Sequence, residues 1–185
     1  MYTRQRAAQI AGYLLAKESS HRMAYMKLIK LMYLADREAL ARLGRPISDD
    51  RLVSMPRGPV LSATLDLLNG TTESDDWSQW IGAAARFQVE LAKEGIDRDS
   101  FDEISNAELA ILDSVWKEFG HMTQFELQDW THQHCAEWVD PSGSSKPITK
   151  ECILQALGRT SEQAKAIADE IAVRRKLDQV LESVR

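Results

Sequence analysis

The sequence is poor in the residues and segments that mark several large protein classes. Among 185 residues it has two cysteines, Cys135 and Cys152, outside any C-x-x-C spacing, so we expect reduced thiols rather than a disulfide framework. No apolar run approaches the roughly 18 residues that a membrane-spanning helix needs. The N-terminal apolar stretch is too short and interrupted for a signal peptide. These absences predict a cytoplasmic protein without a membrane partner.

Sequence motifs for nucleotide and metal chemistry are also lacking. Gly58 is isolated, and neither G-x-x-x-x-G-K-[ST] nor G-x-G-x-x-G occurs, so nucleotide hydrolysis has no support. The one group of metal-ligand residue types is His121, His132, His134 and Cys135. His132 and Cys135 are three residues apart and could ligate together from one helical face, but no second pair completes a tetrahedral set. We therefore expect no metal and no other cofactor.

Charge is present in quantity but is unevenly distributed. Residues 1–45 carry nine lysines and arginines against three acids, residues 46–140 carry six against nineteen, and residues 141–185 carry eight against six. Two interpretations stay open: the blocks complement each other inside the fold, or an acidic face repels nucleic acid and attracts a basic protein. The adjacent acids Asp49 and Asp50 are interpreted as solvated loop charges.

Hydrophobic periodicity predicts two consecutive helices at the N-terminus. Residues 4–18 have apolar positions at the 3–4 spacing of one helical face. A second helix, from about Met23 to Leu43, is apolar around most of its circumference, so it is predicted to lie in the middle of the domain. Gly44 is a predicted C-cap. The side of this helix that reaches water is marked by its charged residues: Lys27, Lys30, Arg37 and Glu38.

The middle of the chain has strand and turn signals. Residues 45–59 read as a short strand or hairpin. Pro59 is suited to the first position of a third helix, because its fixed φ and missing donor cost nothing there. Residues 71–103 read as an acidic loop followed by a strand at 86–91, where apolar residues alternate.

Capping signals place the later helices. Ser105 with Glu108, and Thr123 with Glu126, have the spacing of capping boxes and predict two helix starts. Residues 141–147 are a predicted loop, rich in turn formers. Thr160 or Ser161 is expected to cap the last helix, whose C-terminal half has a displaced apolar stripe: Val173, Leu177, Val180, Leu181 and Val184. Together these patterns predict a mainly α fold, with one compact multi-helix domain over residues 1–185 and a short β-hairpin or small sheet element.

Several motifs, taken in order, resemble one known family. The first group is M-K-L-I-K-L-M-Y-L-A-D-R at 26–37, G-R-P-I at 44–47 and G-P-V at 58–60. The second group is a helix and a Gly turn at 112–127, then the pair Thr131-His132, then Trp138. This arrangement resembles the SocA-like antitoxin domain, also called the Panacea domain. The sequence departs from the pattern at 135–137, where Cys-Ala-Glu stands in place of an expected proline.

The resemblance implies a mainly helical bacterial or phage-encoded domain that neutralises a toxin protein by direct contact, without catalysis. The identity of the toxin stays open, as do the oligomeric state and the choice between blocking the toxin and delivering it to a protease system. Nucleic acid is not an expected partner.

Four residues are candidates for the toxin-binding surface. Met55 and Arg57 lie on the predicted turn, and Trp130 and His132 lie on the helix after the second capping box. Loops held on a rigid helical frame present side chains well to a partner. The alternative is structural: Trp130 and His132 pack their own motif, and Met55 fills a gap in the core.

Two other functions remain as alternatives. A DNA-binding regulator would use consecutive helices as a helix-turn-helix, with the basic N-terminal block contacting phosphates. A metal-dependent hydrolase would use His121, His132 and Cys135.

Overall fold

The computed structural model describes residues 1–84 and 86–183. Over these residues the chain forms eight helices: α1 Arg4–Lys17, α2 Tyr25–Leu43, α3 Ser62–Leu68, α4 Asp75–Ser78, α5 Asn106–Phe119, α6 Gln124–His134, α7 Lys150–Ala156 and α8 Ser161–Ser183. The same residues form six short strands: β1 Arg22–Ala24, β2 Leu52–Met55, β3 Gly58–Leu61, β4 Ile81–Ala84, β5 Gln88–Leu91 and β6 Lys146–Pro147. In the described part of the chain, no helix has the length and apolar character needed to cross a membrane.

Helix α2 is the centre of the core, as its apolar circumference predicted. It packs against α1, α5, α6, α7 and the β3 strand, and its residues from Leu28 to Asp36 are all buried. The prediction that four charged residues mark a water-facing side is wrong for Lys30, which is fully buried, while Lys27, Arg37 and Glu38 are half-buried. Because neighbours surround the helix, a lysine on it can be enclosed completely.

The strands form two antiparallel sheets of three strands each. Their orders are β1-β5-β4 and β3-β2-β6. The predicted hairpin is confirmed as β2 and β3, joined through Met55 and Gly58. Pro59, however, is not the first residue of a helix. It lies in β3, opposite Ser54 of β2. Because β3 is an edge strand, a missing N–H donor is tolerated there. Helix α3 begins at Ser62.

Other differences from the sequence prediction also concern strands. Met23 lies in β1 rather than in α2. Residues 71–103, predicted as a loop with one strand, contain α4 and the β4–β5 hairpin, and the predicted loop at 141–147 ends in β6, which pairs with β2. These strands are only two to four residues long, which is too short for a clear alternation.

The predicted helix ends agree well with the structure. Both capping boxes form, at Ser105 with Glu108 and at Thr123 with Glu126. The Thr160 hydroxyl accepts a hydrogen bond from the Gln163 backbone nitrogen at the start of α8. Gly44 ends α2 in the left-handed conformation. The mainly α prediction is therefore right about the helices and underestimates the strands. Val184, the last member of the predicted stripe on α8, lies outside the described residues.

Candidate functional site

The β2–β3 turn lies directly on α2 and α6, and at Gly58 they leave no room for a side chain. A Cβ atom on Gly58 would lie 2.6 Å from Lys30 Nζ, 2.9 Å from Thr131 Oγ1 and 3.2 Å from His132 Nε2. The residue also has a φ of +96°, which side chains disfavour. Glycine is therefore required here both for its backbone conformation and for space. We call Lys30, Gly58, Thr131, His132 and Trp138 the turn cluster.

Lys30, on α2, binds the strand that follows the turn. Its side chain is fully buried, and its Nζ donates a hydrogen bond of 2.8 Å to the Pro59 carbonyl oxygen. Among the described residues no carboxylate forms an ion pair with it. Burial lowers the pKa of Lys30 to about 7, with the Cys135 thiol opposing this shift. A substantial fraction of the amine is therefore neutral at physiological pH.

His132 is the residue of α6 that packs against Trp138 in the turn cluster. Its ring is stacked on Trp138, with centroids 4.1 Å apart, and its buried Nε2 has no hydrogen-bond partner in the described part of the chain. Burial and the nearby Lys30 amine both lower the pKa of His132, so the imidazole is neutral at pH 7. The Trp138 indole N–H donates to the Met55 carbonyl oxygen at 2.9 Å. The segment after α6 is thus fastened to the turn.

A buried carboxylate anchors that same segment to α2. Glu137 accepts hydrogen bonds of 2.7 Å from the Tyr33 hydroxyl and from Arg37 Nε, and its side chain is fully buried. It lies within the three residues where the sequence departs from the family pattern. Burial and the Glu137 charge raise the pKa of the adjacent Cys135 thiol to about 12. Cys135 is therefore not a reactive thiolate; it and Cys152 are both free, as predicted.

The contacts of these residues are structural: they hold the turn and the segment after α6 against the core. In residues 1–84 and 86–183 no three His, Cys, Asp or Glu side chains are grouped so that they could hold a metal ion, and His121, His132 and Cys135 form no such set. His134 is instead stacked on Trp130, with centroids 4.6 Å apart. The arrangement positions a turn and a post-helical loop against α2.

The structure brings three of the four candidate contact residues together. Trp138 both stacks on His132 and binds the backbone of Met55, and Arg57 lies on the turn between β2 and β3. Met55 is half-buried, and Arg57 is exposed with no hydrogen bond or ion pair to any described residue. Trp130 is not part of this group, because it packs edge-on against Phe119.

Sequence reasoning missed one exposed residue of this surface. Val139 is 58% exposed, and its backbone N–H donates to the Ser54 hydroxyl of β2 at 3.2 Å. It therefore lies beside the strand that leads into the turn. The Trp138 motif was the available signal, because the residue after a half-buried aromatic side chain that bonds the turn stays near the same strand.

The basic block at the N-terminus is largely paired within the fold. Arg6 and Arg45 each contact Glu108 at 2.6 Å, and Arg37 binds Glu137. Lys27 donates to the Gly120 carbonyl oxygen at 2.6 Å. These contacts confirm internal complementarity for this part of the charge pattern. The basic residues that a DNA-binding reading requires are in large part engaged by acids and carbonyl groups of the same chain.

Asp49 and Asp50 are not the solvated loop charges that the sequence suggested. Asp50 is buried, and its carboxylate accepts from the backbone nitrogens of Ala63 and Thr64 at the start of α3. Asp49 forms ion pairs with Lys150 and Arg175, which tie the segment before β2 to α7 and α8. Both acids have structural partners distant in sequence.

Comparison with known protein families places much of the chain in one family. A family described as "Antitoxin SocA-like, Panacea domain" matches residues 28–139, which is more than half of the chain and includes the entire turn cluster. No curated protein and no solved structure matches significantly.

Proposed function

The chain belongs to the SocA-like antitoxin (Panacea domain) family, and we propose on that premise that it neutralises a toxin protein by binding it directly. The match over residues 28–139 carries this proposal. The proposed role is one of binding without catalysis. The geometry supports it, because two buried polar residues of the matched segment, Lys30 and Glu137, are occupied in fastening the turn and the segment after α6 to the core.

The surface around the turn is the part of the matched segment that we propose contacts the toxin. Met55, Arg57 and Val139 combine a half-buried methionine, an exposed arginine without a described partner and an exposed valine. Arginine and methionine are enriched at protein interfaces, and a rigid support lowers the entropy lost when a partner binds. His132 is a supporting residue in this proposal, and Trp130 is a lower-ranked contact on another side of α6.

The proposal is tested by co-expressing the chain with the products of adjacent genes that arrest growth. Rescue of growth, together with a stable complex on size-exclusion chromatography, is the expected result. Toxin abundance in rescued cells separates two routes: an undiminished level indicates blocking, and a falling level indicates delivery to a protease. Failure to rescue growth from any adjacent toxic product would count against the proposal.

Arg57→Ala tests the proposed contact surface. We expect toxin affinity to fall by about tenfold or more, as for an interfacial arginine, while the free energy of unfolding changes by less than about 0.5 kcal/mol. Calorimetric titration and urea unfolding measure the two quantities. Arg51→Ala is the matched control, because Arg51 is also exposed but lies before the other end of β2. An unchanged toxin affinity would show that Arg57 is not a contact.

A further inference from the structure

Strand β4 is an edge strand without the residues that usually prevent pairing with another chain. In the described part of the chain the sheet order is β1-β5-β4, so β4 pairs on one side only. The other edge strands each carry a hindering residue: Arg22 in β1, Pro59 in β3 and Pro147 in β6. Strand β4 has the sequence I-G-A-A. Its outer side is therefore free of charged and proline residues.

The backbone of β4 directs two residues toward this outer side. In an antiparallel pair, every second residue exchanges hydrogen bonds with the partner strand. The Trp80 carbonyl oxygen accepts from the Ala92 nitrogen at 2.8 Å, so Gly82, two residues on, also bonds β5. The N–H and C=O groups of Ile81 and Ala83 therefore point away from β5, and no described strand, turn or loop bonds them. We call these main-chain groups the β4 edge.

An apolar groove of about 500 Å³ lies beside the β4 edge, between β4, the end of α3 and the loop before α4. Leu67, Trp77 and Val89 form part of its lining and are each more than 90% buried. Because Ala83 stands opposite Val89, the two side chains share one face of the sheet. A strand paired to the β4 edge would direct every second side chain toward this groove.

The charged residues that line the groove are Glu73 and Asp75. Both are exposed, and neither forms an ion pair with a described residue. Residues 66–84 as a whole contain four acids and no lysine or arginine. Arg4 offsets part of this charge, since its guanidinium is 3.5 Å from the Glu73 carbonyl oxygen. The rim of the groove is therefore acidic.

The other basic residues around this sheet do not line the groove. Arg22 pairs with Glu90 at 2.6 Å, and the Lys93 amine lies 4.0 Å from the centre of the Trp80 ring. Arg86 is exposed beyond the end of β4. These side chains leave the two rim carboxylates uncompensated.

We propose that the β4 edge binds an extended, basic segment of a partner protein as an added antiparallel strand. Its main chain would bond Ile81 and Ala83, its aliphatic side chains would enter the groove, and lysine or arginine on the same face would reach the rim. All strand pairs of the described chain are antiparallel. This inference goes beyond the proposed function, because β4 lies in a different sheet from the turn between β2 and β3.

A second copy of the chain fits the β4 edge less well. Pairing of two β4 edges would bring together two copies of residues 66–84, each with four acids. Like charges across an interface repel. A basic segment replaces this repulsion with attraction.

Two fluorescent peptides test the charge preference. They have the sequences K-T-V-T-V-T-K and E-T-V-T-V-T-E, so that both valines and both charged ends lie on one face of an extended chain. We expect the lysine peptide to bind the full chain in anisotropy titrations and the glutamate peptide to bind at least about tenfold more weakly, with the preference reduced by salt. Equal binding of the two peptides, or binding of neither, overturns the inference.

N-methylation of the lysine peptide tests the strand geometry. When the valine side chains enter the groove, the valine N–H groups point to the β4 edge and the threonine N–H groups point away. Methylation of both valine nitrogens should weaken binding at least about tenfold, because two hydrogen bonds are lost. Methylation of two threonine nitrogens should leave it unchanged. Equal effects, or a loss with the threonine pair alone, overturn the inference.

Variants then locate the binding. Ala83→Pro removes one donor of the β4 edge, at a position where an edge strand tolerates proline, and should weaken binding of the lysine peptide about fivefold or more. Glu73→Lys combined with Asp75→Lys should reverse the preference between the two peptides. Glu118→Lys combined with Asp169→Lys makes the same charge change at exposed positions of α5 and α8 and should preserve it. Unchanged binding in the β4 and rim variants would place the peptide elsewhere and overturn the inference.

Growth rescue separates this inference from the proposed function. A wild type that rescues growth but shows no peptide preference overturns this inference and leaves the antitoxin proposal standing. A wild type that rescues from no adjacent product, yet binds the lysine peptide with the expected methylation pattern, counts against the antitoxin proposal and supports the β4 edge. A wild-type dimer in sedimentation that Ala83→Pro abolishes would make a second copy the occupant and overturn the inference.

Discussion

At the scale of single residues, the turn cluster depends on polar groups that are buried with few partners. Lys30 has one described hydrogen bond, to Pro59, and His132 Nε2 has none. Both groups favour their neutral forms, because burial penalises the charge. A polar cluster of this kind holds one arrangement of the turn at some cost in stability, as buried polar groups often do.

The lowered pKa of Lys30 predicts a pH dependence of stability. In the unfolded chain the amine has its ordinary pKa near 10.5, whereas in the fold the pKa is about 7. Between these values the unfolded state binds the extra proton, so the free energy of unfolding should rise with pH, by up to about 2 to 3 kcal/mol from pH 7 to pH 9. Urea unfolding at pH 7, 8 and 9 measures this rise.

Lys30→Met should remove most of the rise, because the variant has no amine to titrate. Lys117→Met, at an exposed position of α5, should keep the wild-type slope. The window ends at pH 9 because the Cys135 thiol, with its pKa raised to about 12, opposes the trend at higher pH. A Lys30→Met variant with an unaltered slope would show that this amine is not the titrating group.

At the scale of elements, the segment after α6 determines where the turn sits. Trp138 bonds the turn and Glu137 bonds α2, so one short segment connects three elements. Glu137 binds α2 at the point where the sequence lacks the expected proline. A buried ion pair, Arg37 with Glu137, holds the chain at this point.

Glu137→Ala should destabilise the protein by about 3 to 5 kcal/mol, because it leaves the Tyr33 hydroxyl and the Arg37 guanidinium without their carboxylate in a buried site. Glu137→Gln should lose less, since its amide oxygen still accepts from Tyr33. Urea unfolding at pH 7 compares both with Glu118→Ala, an exposed position of α5. A loss below about 1 kcal/mol in Glu137→Ala would mean that this pair is not a major anchor.

At the scale of the whole molecule, Glu108 connects segments that are distant in sequence. Its carboxylate accepts from Arg6 of α1, from Arg45 after α2, and from Ser105 in the capping box of α5. Arg6 also donates to the carbonyl oxygens of Ile47 and Glu103. The basic first block of the chain and its acidic middle are joined here.

Glu108→Gln should lower the free energy of unfolding at pH 7 by roughly 2 to 4 kcal/mol, because two arginines lose a buried anion. Burial alone would raise the pKa of Glu108, but the hydrogen bonds from Ser105 and the charges of the two arginines outweigh it and lower the pKa. The stabilisation is therefore present above about pH 4.5 and is lost as pH falls below it. The difference between wild type and variant should shrink between pH 5 and pH 3 in urea unfolding; a constant difference would contradict this assignment.

The sequence by itself determined the long helices, most of their ends and the family. Apolar periodicity located α1, α2, α5 and α8, and both capping boxes formed, because these signals depend on residues within about one turn of each other. The order of the motifs indicated the family, which the match over residues 28–139 confirms. Of the four candidate contact residues named from the sequence, the structure groups Met55, Arg57 and His132 and leaves out Trp130. The role of all four in toxin binding stays a prediction.

Only the tertiary structure decided which charged side chains are buried and which apolar ones are exposed. Lys30, Asp50 and Glu137 are enclosed because their partners or neighbours come from segments far along the chain. Val173, Leu177 and Leu181, in the C-terminal half of α8, are more than half exposed. Local patterns report which residues can share a face of a helix or strand, whereas burial and charge pairing depend on what the rest of the chain places against that face.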